Sequence, residues 1–450
     1  MIMTTINFKS NNLLHGLMIR LAFLMSIMII FNACKVRHAN FSEESPSPES
    51  VYTIMKKVAD WQLNSISRKG WRHPERDWTN GALYAGLLKF AEVANDPIYY
   101  GFMQEKVGKK FDWKLYNTDM RYHADFYCVG LMYSRMYALY KDPKMVADFK
   151  LLGDTLIARP HTESLENKNR VDKREWSWCD ALFMAPPALA ALSKATEEIK
   201  YLDICTQLWW KTSDYLYDKE ESLFYRDSRY FKQKEKNGRR VFWSRGNGWV
   251  MGGLVGVLQS MPADYPSRPR FNQQFKEMAK KVASLQQPDG TWHASLLDPA
   301  SFPVKETSGT GFYCYALAWG INNGLLDAQT YAPGVLKAWK ALTDCVHPDG
   351  KLGFVQKIGD SPASVGYEDT EVYGVCAFLL AGTEIMKLSM QQKNFKADLV
   401  LTNPKAGTTT VGALLNAPEN KNDSYRNLLT GLIVNKETTV NTGTTIYLKN

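Results

Sequence analysis

Three short stretches gather side-chain types that could hold a sugar ring and move a proton. In EWSWCDALFMAPP, Asp180 follows Trp176 and Trp178 and opens an apolar helical run. Asp at that place is a favoured helix cap, and beside two indoles on a long loop it is equally a candidate site residue. In FWSRGNGW, Trp243, Arg245 and Trp249 surround the glycine-flanked Asn247. That set suits stacking on a ring and pairing with a carboxylate. Trp249 reads equally well as core, whereas Arg245 in its glycine setting is hard to explain by packing. In RYHADFYCVG, His123 and Asp125 stand at the start of another apolar run, as site residues or as a surface His and a cap. Glu306 in KETSGTGF and the pair Glu368–Asp369 hold equivalent places in two later runs, each open between cap and site. The turns Pro288–Asp289–Gly290 and Pro348–Asp349–Gly350 are structural. With no Ser-His-Asp arrangement, phosphate loop or metal-ligand cluster visible, neither a cofactor nor a metal is expected.

The elements that must aim these residues follow one repeated grammar. Six runs have helical periodicity and many Gly and Ala residues, starting near Trp78, Asp125, Asp180, Asn247, Gly309 and Thr370. Helices apolar on most sides belong in an interior. Between them lie six amphipathic stretches, near residues 51–66, 96–110, 142–158, 198–217, 270–286 and 331–345. In the first, Val51, Ile54, Met55, Val58 and Trp61 follow the i, i+3, i+4, i+7 rule. Six inner helices ringed by six outer ones make an all-α (α/α)6 barrel over residues 51–390. Links from inner to outer helices are short, as at Lys141–Asp142–Pro143, while the long outer-to-inner loops carry the Trp, Arg and Asp clusters. The long loops therefore meet at one end, where inner-helix N-termini converge and favour an anionic ligand.

Composition agrees with a soluble globular chain: 450 residues, 45 % hydrophobic and 22 % charged. Thirteen Trp and twenty-three Tyr exceed ordinary core needs, a surplus that often lines sugar-binding clefts. The net charge of +9 is scattered without a basic run, which argues against a nucleic-acid partner and for a small anionic substrate. At the N-terminus, Lys9 and Arg20 precede an apolar run over residues 21–31, shorter than the roughly 20 residues a membrane span needs. Ending in FNAC, it reads as a lipoprotein-type signal peptide, residues 1–33, with Cys34 as the lipidation site. Residues 34–50, including SEESPSPES, then form a tether. Such a chain is exported and lipid-anchored in the bacterial envelope, periplasmic or at the cell surface, touching membrane only through its anchor. The other six cysteines sit in apolar helical stretches and read as buried free thiols. Residues 391–450, rich in Thr, Asn and Lys, are either a small β element or a poorly ordered extension, of open role.

RHADFYCVG, WSWCDALFMAPP, LFYRDSRY, FWSRGNGW, SLLDP, ETSGTGF, YALAWGINNGLLD and EVYGVCAFLLAG, in this order, resemble the unsaturated rhamnogalacturonyl hydrolases of glycoside hydrolase family 105. The resemblance covers about residues 51–390. It implies an (α/α)6 barrel that removes a Δ4,5-unsaturated uronic acid from the non-reducing end of lyase-generated oligosaccharides. The implied chemistry hydrates the double bond, unlike the usual work of two carboxylates around an anomeric carbon. Asp180 would act as acid and then base. Asp125 would raise the Asp180 pKa and bind hydroxyls, and Arg245 would neutralise the uronate. Trp178, Trp243 and Trp249 would frame the rings, with His123 and Glu306 as further binding residues. Where members often carry two adjacent acids, this chain has Asp125–Phe126. An inverting hydrolase on saturated sugars, using Asp180 with Asp125 or Glu306, and a non-catalytic carbohydrate-binding lipoprotein are the alternatives. The parent polysaccharide and the oligomeric state stay open.

Overall fold

The computed structural model describes residues 45–116, 120–391, 395–415 and 424–449. The expected signal peptide, Cys34 and most of the tether lie outside the described residues.

Helices alternate outer and inner, as the periodicity predicts. In chain order the pairs are α1 (Pro48–Lys69) with α2 (Trp78–Ala94), α3 (Pro97–Met103) with α4 (Cys128–Tyr140), and α5 (Lys144–Ala158) with the broken helix α6–α7 (Ala181–Met184, Pro186–Thr196). They continue with α8 (Lys200–Leu216) and α9 (Ser244–Ser260), α10 (Arg268–Ala283) and α11 (Thr307–Asn322), α12 (Ala328–Thr343) and α13 (Val372–Met390). The outer class is clear in α10, where Phe271, Gln274, Phe275, Met278, Ala279 and Val282 are buried at helical spacing. The inner class is clear in α11, buried at every position from Thr307 to Ile321. Each inner helix packs on the next, and α13 returns to α2, closing the ring.

Local chemistry sets the boundaries. Ser47 caps α1, accepting from the Ser50 N–H at 3.1 Å, Pro48 takes the first turn, and Gly70 at φ 78° ends the helix. The third inner helix breaks at Ala185 because Pro186 and Pro187 bring no N–H groups to continue it. Asp125 sits in a 3₁₀ turn, Ala124–Tyr127, that leads into α4. Both expected turns are present, with Gly290 and Gly350 in the left-handed region at φ 88° and 102°. All six cysteines among the described residues are buried and free.

A hairpin, β1 (Tyr217–Asp218) with β2 (Leu223–Phe224), leads from α8 toward the long-loop end. The C-terminal segment is a β element. Strands β3 (Leu399–Thr402), β5 (Ser424–Asn427), β6 (Ile433–Asn435) and β8 (Thr445–Lys449) form an antiparallel sheet in the order β3-β8-β5-β6. Beside it, β4 (Thr409–Thr410) pairs with β7 (Thr439–Val440). Val411, Tyr425, Val434, Val440, Ile446 and Leu448 form its own small core. It docks where α2 ends. Asn95, in the αL conformation at the end of that helix, donates to the Thr439 carbonyl at 2.9 Å and accepts from the Asn441 N–H at 2.9 Å.

Gly253 of α9 faces the Leu182 carbonyl so closely that a Cβ would lie 2.2 Å from the oxygen. Gly101 in α3 has open space in the same direction. Gly253→Ala should lower unfolding free energy by about 1–3 kcal/mol, whereas Gly101→Ala should raise it by about 0.4–1 kcal/mol; urea unfolding of the two variants measures both signs.

Candidate active site

The inner-helix starts converge on Asp180. This residue directly precedes α6, yet its side chain makes no capping hydrogen bond, and it is 8 % exposed. Its Oδ2 accepts from the Cys179 Sγ at 3.4 Å and lies 3.6 Å from the Arg226 Nε. The backbone holds this juxtaposition, since the Cys179 N–H donates to the Arg226 carbonyl at 2.8 Å. Burial pushes the Asp180 carboxyl above its usual range, while the Arg226 and Arg245 guanidinium groups pull the other way.

Arg226 extends from the loop after β2. Its Nη1 donates to Asp227 at 2.7 Å, and its buried Nε has no hydrogen-bond partner. Asp227, fully buried, is also gripped by Arg229 at 2.9 and 2.7 Å. Asn247 of α9 fixes this loop by accepting from the Phe224 N–H at 2.7 Å and donating to the Phe224 carbonyl at 3.0 Å. Arg245, two residues earlier, is 1 % exposed. Its Nη1 donates to the Gln356 carbonyl and its Nη2 to that of Lys357, while its Nε has no partner. The guanidinium lies 4.5 Å from the Trp243 ring and 5.0 Å from Tyr373.

Asp125 faces Asp180 from the neighbouring repeat. Burial, then the charges of Asp77 and Asp180, raise its carboxyl well above the usual range. The His123 Nδ1 accepts from the Asp125 N–H at 3.3 Å, which leaves the ring proton on Nε2, 3.9 Å from Asp172. Burial pushes the His123 pKa down to about 4, so the ring is neutral at neutral pH. It packs 4.9 Å from Trp178. The arrangement offers two buried carboxyl groups with raised pKa values, a neutral imidazole and two cations. No group of three or more potential metal ligands occurs among the described residues.

The family model for Glycosyl Hydrolase Family 88 matches residues 51–389. The chain belongs to this family. It is 43 % identical over 369 residues to a Formosa agariphila protein named unsaturated 3S-rhamnoglycuronyl hydrolase, covering 77 % of this chain and 93 % of the relative. A protein of the same name from Alteromonas is 33 % identical over 76 % of this chain and 88 % of its own. A solved glycosyl hydrolase family 88 structure from Bacteroides vulgatus superposes with a TM-score of 0.68 at 29 % identity, covering 76 % of this chain and 99 % of that one.

Within this family 88 glycoside hydrolase, several expected site residues stand elsewhere than their motifs suggest. Glu306 is corrected to a helix cap. It is fully buried, and its oxygens accept from Ser308 N–H and hydroxyl, Gly309 N–H and Gln356 N–H, leaving nothing to offer a ligand. Trp249 is corrected to core, 1 % exposed against Phe312 at 4.4 Å and Phe183 at 4.6 Å. Trp243 is likewise no open stacking surface, since its Nε1 donates to Gln356 and its ring lies against Arg245. Trp178 is 5 % exposed and presents its ring to His123. Glu368 and Asp369 form ion pairs with Lys351 and Lys357 in the loop, and Glu371 is the acid at the start of α13, paired with Arg72 and His73. Burial is the first cause of the raised Asp180 pKa, and the like charges of Asp180 and Asp125 repel each other across the site. Sequence reasoning missed three residues. Arg226 stands in LFYRDSRY, and Asp77 caps α2 while facing Asp125. Trp78 is a half-buried indole stacked 5.4 Å from Tyr373.

Because the folded state raises the Asp125 pKa, it binds that proton more tightly than the unfolded chain. The stability this contributes is full below the unfolded value of 3.8 and is lost as pH rises through the folded value. Asp125→Asn should therefore raise the melting temperature relative to wild type at pH 7, with the gain vanishing near pH 3.5, in paired thermal melts.

Proposed function

We propose that this enzyme removes a Δ4,5-unsaturated uronic acid from the non-reducing end of oligosaccharides produced by polysaccharide lyases, with 3-sulfated rhamnose as the adjoining sugar. The observation that carries the reading is Asp180 itself, buried, uncapped and with its carboxyl pKa raised by that burial, beside two guanidinium groups. The names of the Formosa and Alteromonas relatives support the substrate class.

In the mechanism, Asp180 delivers its proton to C4 of the C4=C5 bond, and positive charge develops at C5 and the ring oxygen. Arg226, whose Nε has no protein partner, holds the adjoining carboxylate, while Arg245, tied to the Gln356 and Lys357 carbonyls, adds positive charge behind it. The Asp180 carboxylate then takes a proton from water as its oxygen adds to C5. The resulting hemiketal opens and releases the aglycone, so one carboxyl group serves both steps. Asp125, as a neutral acid, and the His123 Nε2–H donate to sugar hydroxyls, and Trp178 with Trp78 lines the ring. Export and lipidation at Cys34 complete the proposal.

Asp180→Asn should lower kcat on an unsaturated uronyl-(3-sulfo)rhamnose disaccharide by about 10²–10⁴-fold, followed as loss of the double bond's ultraviolet absorbance. The melting temperature at pH 7 should not fall, because no capping bond is lost and the raised Asp180 pKa already costs the folded state stability at that pH. Survival of activity, or equal turnover of the saturated analogue, refutes the reading. Arg226→Gln should shift the alkaline limb of kcat/KM to higher pH, since removing a cation raises the Asp180 pKa. Cys34→Ala should move the protein from the membrane fraction to the soluble fraction of the expressing bacterium.

A further inference from the structure

At the end of the barrel opposite Asp180, a cavity of about 310 Å³ runs into the ring of inner helices. Leu88, Leu131, Phe183, Pro187, Tyr315 and Leu380 line its apolar depth. Pro404 and Gly443 of the C-terminal β element form part of its wall. Lys89 and Arg135 stand at its edge, where a polar recess of about 400 Å³ continues past Lys194, Arg268 and Lys387. Volumes of this size, mostly apolar with a few convergent polar groups, fall at the small end of ligand sites.

Six inner helices end here, and cations gather at helix C-termini without any ligand. That explains part of the cluster. Arg268 donates to the carbonyls of Leu258 and Met261, and Lys194 to that of Gln259. Lys387 pairs with Glu384 at 2.6 Å, and Lys89 with Glu92 at 2.8 Å. Arg135 is the exception. It makes no hydrogen bond or ion pair among the described residues, although it lines both spaces. Two acids answer five cations, and the imbalance is felt. Burial lowers the pKa of both Lys89 and Lys194, and Arg135 lowers each further by repulsion. A ligand with one negative charge, placed at Arg135 and Lys89, would relieve that repulsion while its apolar body filled the depth.

We propose that this far-end cavity binds a small anionic amphiphile, a carboxylate or sulfate head on an apolar body, with Arg135 and Lys89 holding the head. The site is separate from the catalytic one and independent of the substrate assigned to it.

The test uses decanoate as probe, with decan-1-ol and inorganic sulfate as its two halves, in calorimetric titrations of the full-length protein. Decanoate should bind one to one, at least about tenfold more tightly than either half. Arg135→Gln should weaken it at least about tenfold while turnover at Asp180 is unchanged. Leu131→Phe, which narrows the apolar depth at a partly exposed position, should weaken decanoate and leave sulfate alone. Equal binding of decanol refutes the head-group site, and equal binding of sulfate refutes the apolar one. Undiminished affinity in Arg135→Gln, or competition between decanoate and the unsaturated substrate, places the ligand elsewhere and overturns the proposal.

Discussion

A carboxyl group taken out of water must be paired, hydrogen-bonded or protonated, and Asp180 is buried with no capping bond and its nearest cation at 3.6 Å. Much of the surrounding structure serves that condition. The Cys179–Arg226 backbone bond sets the distance to the cation, and Asn247 holds the Arg226 loop against α9. Asp227, itself held by Arg229, draws the Arg226 Nη1 at 2.7 Å, so part of that cation's charge is directed away from the acid. The barrel supplies the low-dielectric wall.

The same residue type at the same place in the repeat does different work, and geometry decides which. Asp77 and Glu306 point their oxygens at the N–H groups of the helices they begin. Asp180 and Asp125 do not, and burial raises the pKa of both. Acid chemistry at neutral pH therefore rests on which repeats decline the ordinary cap.

Periodicity made the barrel legible, because burial of helix faces leaves a direct trace in residue spacing. Loop-length asymmetry located the mouth for the same reason. The aromatic residues were harder to place, since Trp178, Trp243 and Trp249 look alike in sequence whether they face a ligand or a neighbour such as Phe312. Arg226 was hidden by its context, as Arg-Asp-Ser-Arg in a loop reads as an ordinary salt-bridge cluster. Glu306 and Asp180 could not be separated, because side-chain direction at a helix start depends on tertiary contacts that spacing does not encode. The alternating tail left two readings open; strand pairing between β3 and β8 spans most of its length, and such distant partners are invisible to a local pattern.

The position of α1 has a mechanical consequence. Its first turn lies at the base of the barrel, where Tyr52 donates to the Ala94 carbonyl at 3.3 Å and Glu49 approaches Gly431 of the β element. The mouth is at the other end of α2, whose 17 residues span roughly 25 Å. The chain therefore enters the barrel at its base, and a saccharide that reaches Asp180 enters at the opposite end from the first turn of α1.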